Sequence, residues 1–406
     1  MRRYFTVIVC LICLLIATPG YAAELPTIEA ASYYLVEPIS GEILAQKNAD
    51  ERRAPASMTK MMTGLIIFEK LHKGELSLND TVTVSKRAAA INEAEIRLVA
   101  GEKITIKELL VALFVQSAND AAVAIAEHIA GSEEEFVALM NKKAEELGLK
   151  NTHFQNSSGL NKESYPDPPA TVHDGEHVMS AEDTSIVARH LLENYPEVLT
   201  YTKIVTYTFH EQQPTEQKVK NWNQMLPTLN HAYEGVDGLK TGHTNAAGYC
   251  FAGTAQRNGM RLVSVVMGTS SENARFQETK KLLNYGFDHF TMVEAITAGK
   301  PLSGNQTYHV PTGVEEVVAV APEKTLSLPQ KKDEQQNYSY HVTWKEGLEA
   351  PINKGTVVGE VQLLYNGEAI PGVQPVPLVT QTDVERASSI RLFFRSMWKE
   401  VNSWVS

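Results

Sequence analysis

Residues 52–71, RRAPASMTKMMTGLIIFEKL, decide how the chain is to be read. The stretch predicts one helix, apolar on nearly every side, and a helix of that kind is normally buried. Lys60 sits inside it. A buried ammonium is costly unless it finds partners or gives up its proton, so this lysine needs a reason. Ser57 lies three residues earlier on the same helical face, one turn or roughly 4.5 Å of rise away. A serine hydroxyl is a weak nucleophile until a base takes its proton, and a desolvated lysine with a lowered pKa is such a base. The free N–H groups after Pro55, at the head of the helix, favour an oxyanion and disfavour a neighbouring ammonium.

Working outward, YYLVE, the turn PISG and EILAQKN before this helix read as an antiparallel hairpin. Behind it, helical patterns over about 106–116 and 120–130 are separated only by Ser117, Ala118 and Asn119. A helix over about 133–147 follows, then a loop rich in Pro, Ser, Asn and Gly to about Ser180, then a helix over 182–193. From Gly238 the pattern turns to strands, GLKTG, YCFAGTAQ and MRLVSVVMGT, closed by a helix over about 274–290. Strands joined so tightly are antiparallel. The expectation is one α/β domain over 24–292 whose strands come from both ends of the segment.

Between about 300 and 382, short alternating strands such as TYHV, VVAVA, YSYHVTW and TVVGEVQLLY predict a small all-β domain. The tail, 384–406, places Ile390, Phe393, Phe394, Met397, Trp398, Val401, Trp404 and Val405 within an arc of roughly 140° on a helix. Arg391, Arg395, Lys399 and Glu400 lie outside that arc, as does Leu392. Such a helix is too interrupted by charge to span a bilayer and suits a membrane interface, with a packed terminal helix or a dimer seam as the rival.

At the other end, Arg2 and Arg3 precede an apolar run from Phe5 to Ala17, then Pro19, Gly20, Ala22 and Ala23, the anatomy of a secretory signal cleaved near Ala22. The run is short for a retained anchor. Val9 before Cys10 and Ile12 before Cys13 argue against lipidation. The 37 basic residues lose two with the leader, leaving 35 against 48 acidic ones, so the net charge moves from −11 to −13. That balance excludes nucleic acid as the expected partner. Of the three cysteines only Cys250 remains after cleavage, which leaves no internal disulfide, and its apolar strand setting predicts a buried structural thiol.

Ser57-x-x-Lys60 alone is a weak signal. Ser117-Ala118-Asn119 in a helix break is by itself a helix cap. Lys240-Thr241-Gly242 alone is an exposed strand end, although Gly permits close approach and the cation suits a carboxylate. Together and in this order, SxxK, SxN and KTG are the signature set of penicillin-binding proteins and serine β-lactamases.

With PASMTKMMT, QSANDAAVAIAE, LGLKNTHFQNSSGL, VDGLKTGHTNAAGY and APINKGTVVGEVQLLYNGEAIPGV, essentially the whole chain resembles a D-alanyl-D-alanine carboxypeptidase of the low-molecular-mass penicillin-binding type. The resemblance implies a β-lactamase/transpeptidase-like domain, an antiparallel sheet flanked by helices, ahead of the β-domain and the tail. It implies removal of the terminal D-alanine from peptidoglycan stem pentapeptides through an acyl-enzyme on Ser57, acylation by β-lactam antibiotics, and no cofactor. Lys60 would be the base and Ser117 the proton relay. The N–H groups of Ser57 and His243 would form an oxyanion hole. Asn119 would orient Lys60 and the substrate amide, Lys240 would supply positive potential, Gly242 completes the KTG strand, and Thr241 with Arg275 would hold the terminal carboxylate. The protein is then expected at the outer face of the cytoplasmic membrane, held peripherally by the C-terminal helix.

Two stretches depart from the family pattern. AAAINEAEIRLVAGE carries Asn92, Glu93 and Glu95 where relatives are richer in Gly and Ser. SYPDPPATVHDGEHVMS carries His173, Asp174, Glu176 and His177, but a Pro- and Gly-rich loop gives that spacing no helix to align two imidazoles, and no metal is expected. His177 matches a histidine that relatives carry before this helix. The alternatives are a β-lactamase, for which the expected Glu-x-x-Leu-Asn run is missing, and a catalytically idle wall-binding protein.

Overall fold

The computed structural model describes residues 25–161, 164–165, 175–332, 338–370 and 372–405. The expected leader over 1–22 and two members of the histidine loop, His173 and Asp174, lie outside these residues.

A five-stranded antiparallel sheet runs in the spatial order Ile43–Lys47, Ser32–Val36, Met260–Thr269, Gly248–Arg257, Val236–Thr244. The N-terminal hairpin thus joins the C-terminal strands directly, with Leu35 opposite Ser264 and Tyr34 opposite Val265. Both faces are covered. Leu262 and Val266 point to the core under the Glu272–His289 helix, whereas Val263 and Val265 point to the larger core of the helical region. Two-sided burial explains why these strands read as unbroken apolar runs rather than as alternation.

Helix Lys60–His72 is the centre of the helical region, every residue from Lys60 to Phe68 being buried. Gly64 lets it sit against Phe114, since a Cβ there would lie 2.6 Å from the ring Cζ. The expectation of one helix over 52–71 needs correction. Arg53 is extended and bridges Met179 as in a sheet, and Ala56–Thr59 is a 3₁₀ turn that leads into the α-helix. Pro55 explains the break: it disfavours helix at Ala54 and donates no N–H.

A second correction concerns 106–116. Only Ile106–Val111 is α-helical, and Ala112–Gln116 forms a π turn. The short hairpin partners Thr81–Thr83 with Lys103–Thr105, and Thr206–Phe209 with Gln217–Lys220, gave no periodic signal long enough to read.

Strand Phe290–Ile296 runs through the boundary drawn at 292 and pairs with Leu326–Lys331. The β-region therefore begins at about residue 290. Its main sheet has the order Thr307–His309, Val317–Pro322, Val376–Thr380, Val357–Tyr365, Tyr338–Trp344, around a core that includes Leu328, Val361, Leu363, Val376 and Leu378.

The tail forms helix Ser389–Val405. It turns Arg395 toward the β-region, where the guanidinium donates to the carbonyls of Gly313 and Val314 and pairs with Glu316. Ile390, Phe393, Phe394, Met397 and Trp398 are left exposed. Among the described residues no helix is long and apolar enough to cross a membrane.

One buried carboxylate holds the loop that follows residue 153. Glu133, in the first turn of helix Glu133–Glu146, accepts from the N–H and Oγ of Ser157 at 3.0 and 2.8 Å, from Tyr165 Oη at 3.0 Å and from Arg87 at 3.1 Å. Removing it leaves buried donors unsatisfied. Glu133→Ala is expected to lower stability by about 3 kcal/mol, read as a lower urea midpoint at unchanged slope.

Candidate active site

Ser57 stands in the 3₁₀ turn, one turn before the helix that carries Lys60, and the amine lies 3.1 Å from Ser57 Oγ. Two further oxygens hold it: Asn119 Oδ1 at 2.7 Å and the Ser158 carbonyl at 2.7 Å. Asn119 Nδ2 donates to the Asn92 carbonyl, which turns its oxygen toward the lysine. Lys60 has no exposed surface, and burial pushes its pKa down to about 7 against the smaller opposing pull of Asp120 and Glu93.

A neutral amine has two protons and one lone pair. Asn119 Oδ1 and the Ser158 carbonyl can only accept, so they take both protons and the lone pair is left for the Ser57 hydroxyl. Among the described residues, this is the arrangement that accounts for a lysine in an apolar helix.

The SxN segment owes its place to strain. The π turn ends at Ser117, whose φ of 62° is left-handed, and helix Asn119–Ala130 begins immediately. Such turns inside helical stretches recur at functional sites. Asp120 braces the entry loop by accepting from the N–H groups of Ile96 and Leu98, each at 3.1 Å, and burial raises its pKa to about 6.

Strand Val236–Thr244 supplies the third side. Lys240 Nζ donates to Ser117 Oγ at 2.8 Å and to the Thr241 carbonyl at 3.0 Å. Burial, with Lys60 and Arg275 nearby, holds its pKa well below the usual lysine range. Gly242 is required by contact: a Cβ there would stand 2.7 Å from the Pro55 carbonyl. Beyond it the exposed His243 ring stacks on Tyr249 at 4.0 Å.

Arg275 is 3 % exposed, lies over the Phe276 and Tyr249 rings, and reaches Glu272 at 3.2 Å and the Gly242 carbonyl at 3.4 Å. Burial lowers its pKa, although the guanidinium keeps its charge.

These elements close around a cleft of about 400 Å³, bordered by Ser57, Ser117, Thr241, Gly242, His243 and Arg275. A larger hollow of about 560 Å³ lies between the Ile43–Lys47 edge strand and the β-region, away from all of these groups. Lys60, Asn119 and Lys240 sit just behind the cleft, so every expected site residue meets in one place. Cys250 is buried and its thiol is pushed up to about 11, as a structural cysteine requires. His177 bonds Thr59 and Gln155, and among the described residues no cluster of metal-ligating side chains occurs.

Sequence reasoning missed the Ser158 carbonyl, a main-chain group with no side-chain signature. It also missed Gln116 and Trp222, which line the cleft and are joined by a bond from the indole N–H to the Gln116 carbonyl. Nothing in the local pattern around Trp222 brings it to the mouth.

A hydroxyl against a buried amine, on an antiparallel sheet and helix scaffold, is the equipment of a serine-type hydrolase working by acyl transfer. Residues 20–271 match the family described as D-alanyl-D-alanine carboxypeptidase, and residues 290–386 match the C-terminal domain of penicillin-binding protein 5. The chain belongs to the D-alanyl-D-alanine carboxypeptidase family.

It is 37% identical over 374 residues to the D-alanyl-D-alanine carboxypeptidase DacF of Bacillus subtilis, covering 91% of this chain and 89% of that one. It is 33% identical over 397 residues to DacC of Escherichia coli, covering 95% and 91%. The fold is similar to that of penicillin-binding protein 5 from Haemophilus influenzae, with a TM-score of 0.73, 32% identity and coverage of 89% and 99%. It is also similar to a peptidoglycan synthesis regulatory factor from Streptococcus pneumoniae, with a TM-score of 0.78, 32% identity and coverage of 88% and 100%. The protein is a serine-type D-alanyl-D-alanine carboxypeptidase, as the sequence resemblance implied.

A buried amine with a pKa of about 7 beside a serine hydroxyl implies a pH signature if it accepts that hydroxyl's proton. The rate at which a penicillin acylates the enzyme should rise with pH and level off above about 7, because only the neutral amine accepts a proton. Glu93 supports the ammonium, so Glu93→Gln should move that midpoint to lower pH. A stopped-flow pH profile of both proteins checks the midpoint and the direction of its shift.

Proposed function

We propose that Ser57 attacks the peptide carbonyl between the last two D-alanines of a peptidoglycan stem pentapeptide while Lys60 takes its proton. The C–N bond then breaks, and the proton reaches the departing amine of D-alanine through Ser117. Water, deprotonated by the same lysine, adds to the ester and frees the Ser57 hydroxyl. The developing oxyanion is assigned to the N–H groups of Ser57 and His243. Asn119 orients Lys60 and the substrate amide. The terminal carboxylate is assigned to Thr241 and Arg275, with Lys240 adding positive potential. A β-lactam enters the same path, its ring amide replacing the scissile bond and its leaving group staying tethered.

The observation that carries this reading is the 3.1 Å approach of a wholly buried amine to the Ser57 hydroxyl at the cleft. Wild type should release D-alanine from a synthetic pentapeptide ending in D-Ala-D-Ala and should release bound penicillin slowly enough for the adduct to be seen. Ser57→Ala should do neither. Rapid penicillin turnover without D-alanine would mean a β-lactamase. Labelling without D-alanine release from any stem peptide would mean an idle binding protein.

Cleavage of the leader near Ala22 and export are part of the same proposal, as is peripheral attachment by helix Ser389–Val405. Support for attachment comes from the aromatic face, Phe393, Phe394 and Trp398, which is exposed while Arg395 binds the β-region. Burying that face in an anionic bilayer interface would cover apolar surface that the fold leaves in water. The mature protein should co-sediment with vesicles containing phosphatidylglycerol, and Phe393→Asp/Trp398→Asp should stay in the supernatant with carboxypeptidase activity unchanged.

A further inference from the structure

We propose that His177 and Thr59 form a positioning line that fixes the peptide plane between Ala56 and Ser57, and so aims the Ser57 N–H at the oxyanion. The inference rests on Ser57 being the acylated residue.

Ala56 has a φ of 48°, a left-handed conformation in a non-glycine residue directly before the nucleophile. Such a conformation persists only where its surroundings impose it. Thr59 Oγ1 lies 2.8 Å from the Ala56 carbonyl, and His177 Nε2 lies 2.8 Å from Thr59 Oγ1. The other ring nitrogen, Nδ1, is 3.1 Å from the backbone N of Gln155.

A backbone N–H can only donate, which settles the direction of the whole line. Nδ1 must accept, so the ring proton of neutral His177 is on Nε2 and is donated to Thr59 Oγ1. The hydroxyl proton of Thr59 is then free to go to the Ala56 carbonyl. Burial pushes the histidine pKa down to about 3, in keeping with a neutral ring.

Gly159 closes the other side of the same carbonyl. A Cβ at that position would stand 1.9 Å from the Ala56 oxygen and 2.8 Å from Thr59 Oγ1. The Ala56 oxygen is therefore confined between a hydrogen-bonded hydroxyl and a backbone that admits no side chain. In a planar trans peptide the carbonyl and the following N–H point in opposite directions. Holding the oxygen inward, toward wholly buried Thr59, holds the Ser57 N–H outward, to the side where Ser57 borders the cleft. Neither His177 nor Thr59 needs to touch substrate; both act through the main chain.

The test compares Thr59→Val, which keeps shape and loses the hydroxyl, with Thr59→Ser, which keeps the hydroxyl. His177→Ala is compared with His177→Gln, whose amide can reach Thr59 as the Nε2–H does. Each is measured for acylation by a fluorescent penicillin, for the infrared stretch of the acyl-enzyme carbonyl, and for thermal unfolding.

Losing an oxyanion donor outright costs about 100- to 1,000-fold. Misaiming one should slow acylation by about 10- to 100-fold in Thr59→Val and His177→Ala, and the carbonyl stretch should move to higher frequency as its hydrogen bond weakens. Thr59→Ser and His177→Gln should stay within about threefold of wild type. An unshifted carbonyl stretch in Thr59→Val and His177→Ala would overturn the proposal, even with slower acylation, because a merely structural role would leave that bond unchanged. If Thr59→Val does not fold, the His177 pair gives the same two readouts. A wild-type protein that forms no acyl-enzyme would instead defeat the assignment of Ser57.

Discussion

The structure depends on keeping one amine dry. Lys60 is taken out of water, where an ammonium is most stable, and is compensated by two acceptors and one hydroxyl. Desolvation lowers its pKa to about 7, so a side chain that is ordinarily a cation can be a base near neutral pH. The acceptors are few enough to leave a lone pair in place. Replacing them with a carboxylate would hold the proton on the lysine.

That requirement explains the architecture around it. The apolar helix supplies the desolvation, the left-handed Ser117 brings Asn119 within reach, and the loop braced by Glu133 presents the Ser158 carbonyl. These groups come from widely separated parts of the chain, with Lys240 brought in by the far strand of the sheet. Lys60 helps to depress the pKa of Lys240, after the larger effect of burial, and both amines face hydroxyl and carbonyl oxygens. Around the cleft floor, close backbone approaches at Gly159 and Gly242 leave no room for a Cβ.

Much of this was legible in advance. SxxK, SxN and KTG are recognisable because the chemistry restricts residue types at those positions, and the spacing of Ser57 and Lys60 already places them one helical turn apart. The α/β character and the later all-β segment could be read because long buried strands and amphipathic helices leave periodic patterns. What escaped has a common cause. The 3₁₀ start at Ala56 and the π turn before Ser117 depend on a few dihedral angles. The Ser158 carbonyl is main chain, and Trp222 reaches the mouth of the cleft through a bond to the Gln116 carbonyl 106 positions away.

Residue chemistry and local spacing alone established a serine beside an unexpectedly buried lysine, the two companion motifs, the sequence of domains and an aromatic terminal helix. Tertiary structure decided which oxygens receive the amine's protons, which way the helix turns its aromatic face, and which groups His177 meets. The division has a physical reason. A side chain's acidity, nucleophilicity and size travel with the sequence, whereas the direction of a lone pair, a carbonyl or an N–H is set by contacts between segments that the chain keeps far apart until it folds.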